Sequence, residues 1–129
     1  MINLNRVKSV YEAVRAHLDL SAPEGSFDYM MTYHGNQGTK IMQLVDGRVT
    51  IIAYEADRGT HSVEFQTSNE NELLNYLIDR LIRSCAVRDM MNDRKQEVSS
   101  GYYLKEFENA RNRYFESLSN AGLLQRKLQ

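Results

Sequence analysis

The sequence lacks most of the features that mark secreted, membrane-spanning or nucleic-acid-binding proteins. A single cysteine among 129 residues excludes an internal disulfide, and a single proline with an apolar fraction of 42% argues against disorder. There is no tryptophan, and the longest apolar runs span only a few residues, which predicts that no segment crosses a membrane. Sixteen basic and 17 acidic residues leave a formal charge of -1, so no net field attracts nucleic acid or an anionic membrane.

The remaining composition predicts one folded, soluble domain over residues 1–129. The N-terminal stretch lacks the unbroken apolar run of a signal peptide, which predicts a cytoplasmic location. His17, His34 and His61 are too scattered for a zinc signature. Cys85 lies within an apolar stripe, where a free cysteine usually packs as a small hydrophobe. We therefore expect no metal, no cofactor and no catalytic site.

Three stretches have the periodicity of amphipathic helices. Apolar residues at three- and four-residue spacing predict helices over residues 5–20, 67–92 and 103–120. Thr67 and Glu70 are spaced as a capping box, which predicts that the longest helix begins there.

The stretch between the first two helices has the composition of a β-meander. Strands are predicted over residues 27–34 and 40–45, with Asp46-Gly47 as a two-residue hairpin turn and a second turn at Arg58-Gly59. This order predicts an α+β fold: an N-terminal helix, an antiparallel meander of three to four strands, and two C-terminal helices packed on the sheet.

Turns at those two positions also predict the strand register. Ile41 is expected opposite Ile52, and Tyr54 opposite Val63, which gives the sheet one apolar face. The reverse face is expected to be polar near the second turn, where it would carry Glu55, Ser62, Glu64 and Gln66.

The segment YEADRG at residues 54–59 is the strongest candidate for chemistry. Glu55 and Asp57 suggest the acid–base pair of a small hydrolase, but an exposed hairpin end offers no cleft in which their environments would differ. A metal site is disfavoured because Arg58 would repel the cation. Arg111 lies near the buried stripe of the last helix and needs a carboxylate, which Glu55 or Asp57 could supply. The two acids are therefore expected either to lock the hairpin to the last helix or to reach outward to a partner.

The second half of the chain also carries an ordered set of short motifs. They are Asp57-Arg58-Gly59 at a predicted strand end, Thr67 followed by Glu72-Leu73-Leu74, the small pair Cys85-Ala86 in the long helix, and Asn109, Arg111 and Phe115 in the last helix. With these motifs the chain resembles, over about residues 50–124, the immunity protein 63 family of bacterial polymorphic-toxin and contact-dependent growth inhibition systems. It departs from that family in having Asp57 for glutamate, Asn109 for aspartate, and Asn75-Tyr76 where the family tends to Tyr-Trp.

The resemblance implies a single α+β domain without catalytic activity, whose partner is the C-terminal domain of a cognate toxin, such as a nuclease. The protein would block the active site or substrate surface of that toxin. We expect no direct contact with nucleic acid or membrane, and a monomer or weak dimer when the protein is free. The polar sheet face and the hairpin tips are expected to contact the toxin, with Glu55, Asp57, Arg58, Glu64, Glu70 and Glu72 as candidate residues. Four motif residues are expected to serve the fold instead: Gly59, Asn109, Arg111 and Phe115.

A chaperone for type III secretion effectors is the alternative. Those chaperones have a similar outline of a helix, antiparallel strands and a further helix in a chain of this length. They are stable homodimers and typically more acidic, so the oligomeric state separates the two hypotheses.

Overall fold

The helices and strands follow one another in the order of an α+β protein. The computed structural model describes residues 1–93 and 100–124, with side chains described for residues 1–89 and 105–124. The elements are α1 Leu4–His17, α2 Phe27–Met30, β1 Gln37–Gln43, β2 Val49–Glu55, β3 Thr60–Thr67, α3 Glu70–Asp93 and α4 Ser100–Asn120. The predicted fold class is confirmed: an N-terminal helix, a three-stranded antiparallel sheet in the order β1-β2-β3, and then helices. None of the described helices is long and apolar enough to cross a membrane.

The core lies between the sheet and the two helices α1 and α3. Its fully or almost fully buried side chains include Val7, Tyr11 and Val14 from α1, Leu73, Leu74, Leu77, Ile78, Ile82 and Cys85 from α3, and Ile41, Val49 and Ile51 from the sheet. Burying each of the larger aliphatic side chains contributes roughly 1.5–3 kcal/mol, which is why the helical spacing of these residues predicted α1 and α3 well. The helix α4 packs along α3 and adds Leu118 to this core.

The predicted capping box at the start of α3 is wrong. The residue that caps the helix is Asn69, whose Oδ1 accepts a hydrogen bond from the backbone N–H of Glu72 at 3.0 Å. Thr67, two residues before Asn69, supports this cap, because its hydroxyl accepts from the Asn69 N–H at 3.0 Å and donates to Glu72 Oε1 at 2.5 Å. Glu70 does not reach back to Thr67 and instead accepts from the backbone N–H of Asn3 at 2.9 Å.

The strand predicted over residues 27–34 is also wrong, because its first part is the short helix α2. The Ser26 hydroxyl accepts a hydrogen bond from the Tyr29 N–H at 3.1 Å and starts this turn. Phe27 and Met30 are both buried, so the apolar spacing is three rather than two.

The first hairpin has a register one residue away from the predicted one. Ile41 pairs with Ile51, and Gln43 pairs with Val49. The Leu44 N–H donates to the Arg48 carbonyl at 2.7 Å, which closes a three-residue loop with Gly47 at a φ of 90°. The Asp-Gly pair was predicted to fill a two-residue turn, but its glycine serves here as the left-handed last residue of a longer loop.

The second hairpin differs from its predicted register because it contains a longer turn and a β-bulge. The turn includes residues 56–58 and ends at Gly59, whose φ of 64° suits glycine. Tyr54 therefore pairs with His61 rather than Val63. Farther along, Ile52 pairs with Val63 and Ile51 with Phe65, which leaves Glu64 as an extra residue in β3. Since Ile51 and Ile41 face the helices, Ile52 faces the other way.

Candidate partner-binding surface

One face of the sheet is turned away from the helices, and we call it the open face. By the strand pairing and the alternation of side chains it consists of Gly38, Lys40 and Met42 from β1, Thr50, Ile52 and Tyr54 from β2, and His61, Val63 and Gln66 from β3. Ile52 and Tyr54 are buried, yet neither belongs to the cluster that the helices form with the other face. Val63 at the edge strand remains 59% exposed. On the open face, Val63 therefore offers an exposed apolar side chain beside the buried Ile52 and Tyr54.

The segment before β1 folds over one end of the open face and is fastened there by Tyr54. The Tyr54 hydroxyl accepts a hydrogen bond from the His34 N–H at 2.6 Å and donates one to the His34 carbonyl at 2.9 Å. The Tyr33 ring meets the Tyr54 ring edge-on, with 4.8 Å between centroids, and stays 57% exposed. Gly38 pairs with Tyr54, and a Cβ there would lie 2.9 Å from the Tyr54 hydroxyl oxygen. The Tyr54 ring therefore fits against β1 because Gly38 has no side chain.

Lys40 is the lysine of this surface and lies in the middle of the edge strand β1. Its ammonium nitrogen lies 5.1 Å from the centroid of the Tyr33 ring, a cation–π contact. Within residues 1–89 it is the one lysine or arginine without a carboxylate oxygen within 4.0 Å. The others in that range all have such a partner: Arg6, Lys8, Arg15, Arg48, Arg58, Arg80, Arg83 and Arg88.

The predicted tip residues lie beside the open face, at the turn between β2 and β3. Glu55, Asp57 and Arg58 are all exposed, and Arg58 Nε lies 4.0 Å from Glu55 Oε2. The turn is joined to the start of β1 by the Ala56 N–H, which donates to the Asn36 carbonyl at 2.6 Å. An exposed pair at this distance contributes little to stability, so the three charged groups are available for outward contacts.

The other three acidic candidates are placed elsewhere and hold elements together. Glu64, the bulge residue, lies 3.2 Å from Arg80 Nη1, and Arg80 reaches it from α3. Glu70 lies 2.8 Å from Arg6 Nε and thereby ties the start of α3 to α1. Glu72 accepts from the hydroxyl of Thr67 within the helix cap. The structure does not bring these acids together into one acidic surface.

Arg111 has a different carboxylate partner from the predicted one. Its Nε and Nη2 donate to Asp79 Oδ1 at 2.9 and 2.6 Å, and Arg83 Nε lies 2.9 Å from the other oxygen of that carboxylate. The expectation that Glu55 or Asp57 would pair with Arg111 is wrong, because α4 packs along α3 rather than against the hairpin tip. The pair is only partly buried, with the Arg111 side chain 41% exposed.

The motif residues of the last helix border a groove rather than the open face. Arg111 and Phe115 line it together with Phe65, Tyr76 and other residues of β3 and α3, and its volume is about 370 Å³. Asn109 is exposed on the same helix. Arg111 and Phe115 therefore lie where they join α4 to α3.

Cys85 packs in the core, as predicted. It is fully buried, and its Sγ lies 3.9 Å from the Leu18 carbonyl oxygen. Burial raises the pKa of the Cys85 thiol, which keeps the sulfur protonated. In the described part of the chain, no group of three or more His, Cys, Asp or Glu residues is arranged to hold a metal ion.

The residues that define the open face were not recognised as a site from the sequence. Lys40 and Tyr33 lie seven residues apart across a turn, and only the strand register reveals that Val63 rather than Glu64 shares their face. The signal that the sequence offers is the aromatic and apolar composition of residues 27–45, which is equally typical of strands packed in a core.

Comparisons with known proteins identify no relative: no protein-family profile, no curated protein and no solved structure matches this chain. The similarity to the immunity protein 63 family therefore stays a prediction.

Proposed function

We propose that this protein is an immunity protein that binds and neutralises a cognate toxin domain in the cytoplasm, by occlusion rather than by catalysis. The observation that carries the proposal is the open face, where exposed Tyr33 and Val63 flank an unpaired lysine beside a charged hairpin tip. The ordered motifs from Asp57 to Phe115 indicate the class of partner.

This surface has the composition of a protein-binding site. Interfaces combine a few aromatic or aliphatic anchors with a polar rim, and most of the binding energy comes from the anchors. Tyr33 and Val63 are suitable anchors because each keeps more than half of its side chain exposed. The tip at Asp57 and Arg58 supplies the polar rim on one side.

The tip and the open face together could cover the active site of an enzyme. The tip is a tight turn that ends at Gly59, so it projects charged groups on a short, well-defined loop. The adjoining sheet is held rigidly by its helices, so little conformational entropy would be lost when it docks. Occlusion requires only this fit, with no chemical step by the inhibitor.

Co-expression with the toxin domain encoded directly upstream tests the proposal. Cells that express the toxin domain alone are expected to stop growing, and cells that also express this protein are expected to grow and to yield a co-eluting complex. Continued growth arrest without a complex would contradict the proposal.

A matched pair of variants links rescue to the surface. Val63→Asp places a charge on the open face, whereas Val87→Asp places the same charge on α3 at a valine that is 47% exposed. We expect Val63→Asp to abolish rescue and Val87→Asp to retain it, with both proteins folded by circular dichroism. Equal rescue by the two variants would show that the toxin binds elsewhere.

The chaperone alternative makes a different prediction about the free protein. A secretion chaperone is expected to be a stable dimer at micromolar concentration, whereas the immunity function needs no self-association. Light scattering that gives the mass of one chain would support the immunity protein, and a tight dimer would favour the chaperone.

A further inference from the structure

The open face carries a cation, Lys40, without any acidic counterpart. Its nine residues, all within the described part of the chain, include no aspartate or glutamate. The bulge in β3 is the reason, because it removes Glu64 from the strand pairing and leaves it beside Arg80 of α3. In a regular strand Glu64 would alternate with Phe65 and lie on the open face.

The position of Lys40 leaves its charge available for a partner. The Tyr33 ring holds the ammonium by a cation–π contact, which orients the group without taking up an N–H donor in a hydrogen bond to oxygen. Every other lysine or arginine of residues 1–89 has a carboxylate within 4.0 Å. Lys40 is therefore a preoriented cation next to apolar side chains, and a carboxylate is the group that complements it.

We infer that the occupant of the open face is an acidic segment of the toxin domain. An aspartate or glutamate of this segment meets the Lys40 ammonium beside Tyr33, and neighbouring apolar side chains of the segment pack on the exposed Val63. This inference rests on the proposed function and adds to it the chemistry of the partner surface. It differs from the sequence-based expectation, in which five of the six candidate contact residues of this protein are acidic.

A second copy of the chain fits this surface less well. Two open faces stacked on each other would bury a Lys40 cation from each copy, with no carboxylate among the nine residues of either face to pair with it. Unpaired charges buried at an interface disfavour the complex. The charge pattern thus favours a different, acidic protein.

Zero-length cross-linking of the complex tests the inference directly. A carbodiimide condenses an amine with a carboxyl group in contact with it, giving an amide with loss of water. We expect mass spectrometry to identify Lys40 joined to an aspartate or glutamate of the toxin domain. Cross-links to the toxin domain that involve other lysines but never Lys40 would overturn the inference.

Affinity measurements with charge-reversal variants provide a second readout. Lys40→Glu is expected to weaken the complex by about 30-fold or more, as loss of a desolvated charge pair does. Arg113→Glu makes the same charge change on the exposed surface of α4 and is expected to bind like the wild type. Lys40→Met keeps the apolar stem and is expected to bind more tightly than Lys40→Glu and less tightly than the wild type.

The outcomes separate the two proposals. If wild-type protein and toxin domain form no complex, the immunity function itself fails, and the inference fails with it. If the complex forms and rescues growth but Lys40→Glu binds like the wild type, the function stands and the acidic partner surface is refuted. Equal losses from Lys40→Glu and Arg113→Glu would likewise refute it, because they would reflect overall charge alone.

Discussion

At the scale of single residues, the open face depends on a glycine. Gly38 pairs with Tyr54, and the Tyr54 hydroxyl is fixed by two hydrogen bonds to the backbone of His34. The ring therefore cannot turn aside without breaking those bonds. Its position in turn supports Tyr33, the exposed aromatic residue beneath the Lys40 ammonium.

We predict that Gly38→Ala destabilises the protein. Its Cβ would lie 2.9 Å from the Tyr54 hydroxyl oxygen and 3.1 Å from the adjacent ring carbon. Overpacking of this kind costs about 1–3 kcal/mol of unfolding free energy, measurable by urea denaturation. Gly25→Ala is the control, since its nearest neighbour would be the Arg15 guanidinium at 3.8 Å, an ordinary contact. Equal stability of the two variants would contradict the packing described for Tyr54.

At the scale of elements, the three long helices could be predicted from the sequence and the strand pairing could not. Burial of one apolar stripe stabilises α1 and α3, so the helical spacing of their apolar residues indicates which side of each helix is buried. These residues include Val7, Val14, Leu74 and Ile78. The pairing of β2 with β3 depends on a bulge at Glu64 that leaves no local pattern in the sequence.

The short helix α2 shows the same limit. Phe27 and Met30 are aromatic and apolar like strand residues, and the helical turn is started by the hydrogen bond from the Tyr29 N–H to the Ser26 hydroxyl. The candidate site was predicted in part: the exposed tip at Asp57 and Arg58 was recognised. The position of Lys40 on the open face could not be predicted, because it depends on the strand register.

The ion pair between Arg111 of α4 and Asp79 of α3 is expected to contribute modestly to stability. Arg111→Ala removes the two hydrogen bonds to Asp79, but the pair is partly exposed, so we expect a loss of only about 1 kcal/mol of unfolding free energy. The sequence had suggested a buried arginine, for which loss of the partner would cost about 3 kcal/mol or more. Urea denaturation in low and high salt measures the difference, and the loss should shrink in high salt.

A control and a double-mutant cycle make this prediction specific. Arg113→Ala changes an exposed arginine on the same helix and should leave stability almost unchanged. Combining Arg111→Ala with Asp79→Asn should cost less than the sum of the two single changes. Additive losses would contradict the ion pair as the link between α3 and α4.

At the scale of the whole molecule, stability is expected to fall at alkaline pH. Burial, aided by the nearby Glu12 carboxylate, raises the pKa of Tyr11 from 10.0 to about 12. Because the folded pKa lies above the unfolded one, the unfolded chain loses its proton first, and the stabilisation present below pH 10 is lost as the pH rises towards 12. The loss amounts to about 2–3 kcal/mol. Burial also raises the pKa of the Cys85 thiol, which acts in the same direction.

Urea denaturation across alkaline pH checks this dependence. We expect the unfolding free energy of the wild type to fall more steeply above pH 10 than that of Tyr11→Phe, which has no phenol to ionise. The variant also loses the hydrogen bond from the Tyr11 hydroxyl to the Gly25 carbonyl at 2.7 Å, so the comparison concerns the slope with pH and not the absolute stability. Parallel curves for the two proteins would contradict the assignment to Tyr11.

The most direct test of the account is a map of the surface that the toxin domain contacts. Backbone amide NMR spectra of the labelled protein, recorded with and without unlabelled toxin domain, provide that map. We predict that the largest shift changes fall on β1, β2, β3 and the tip at residues 55–59, while α4 changes little. Changes concentrated on α4 and the groove beside Arg111, with the sheet unaffected, would contradict the claim that the open face binds the toxin.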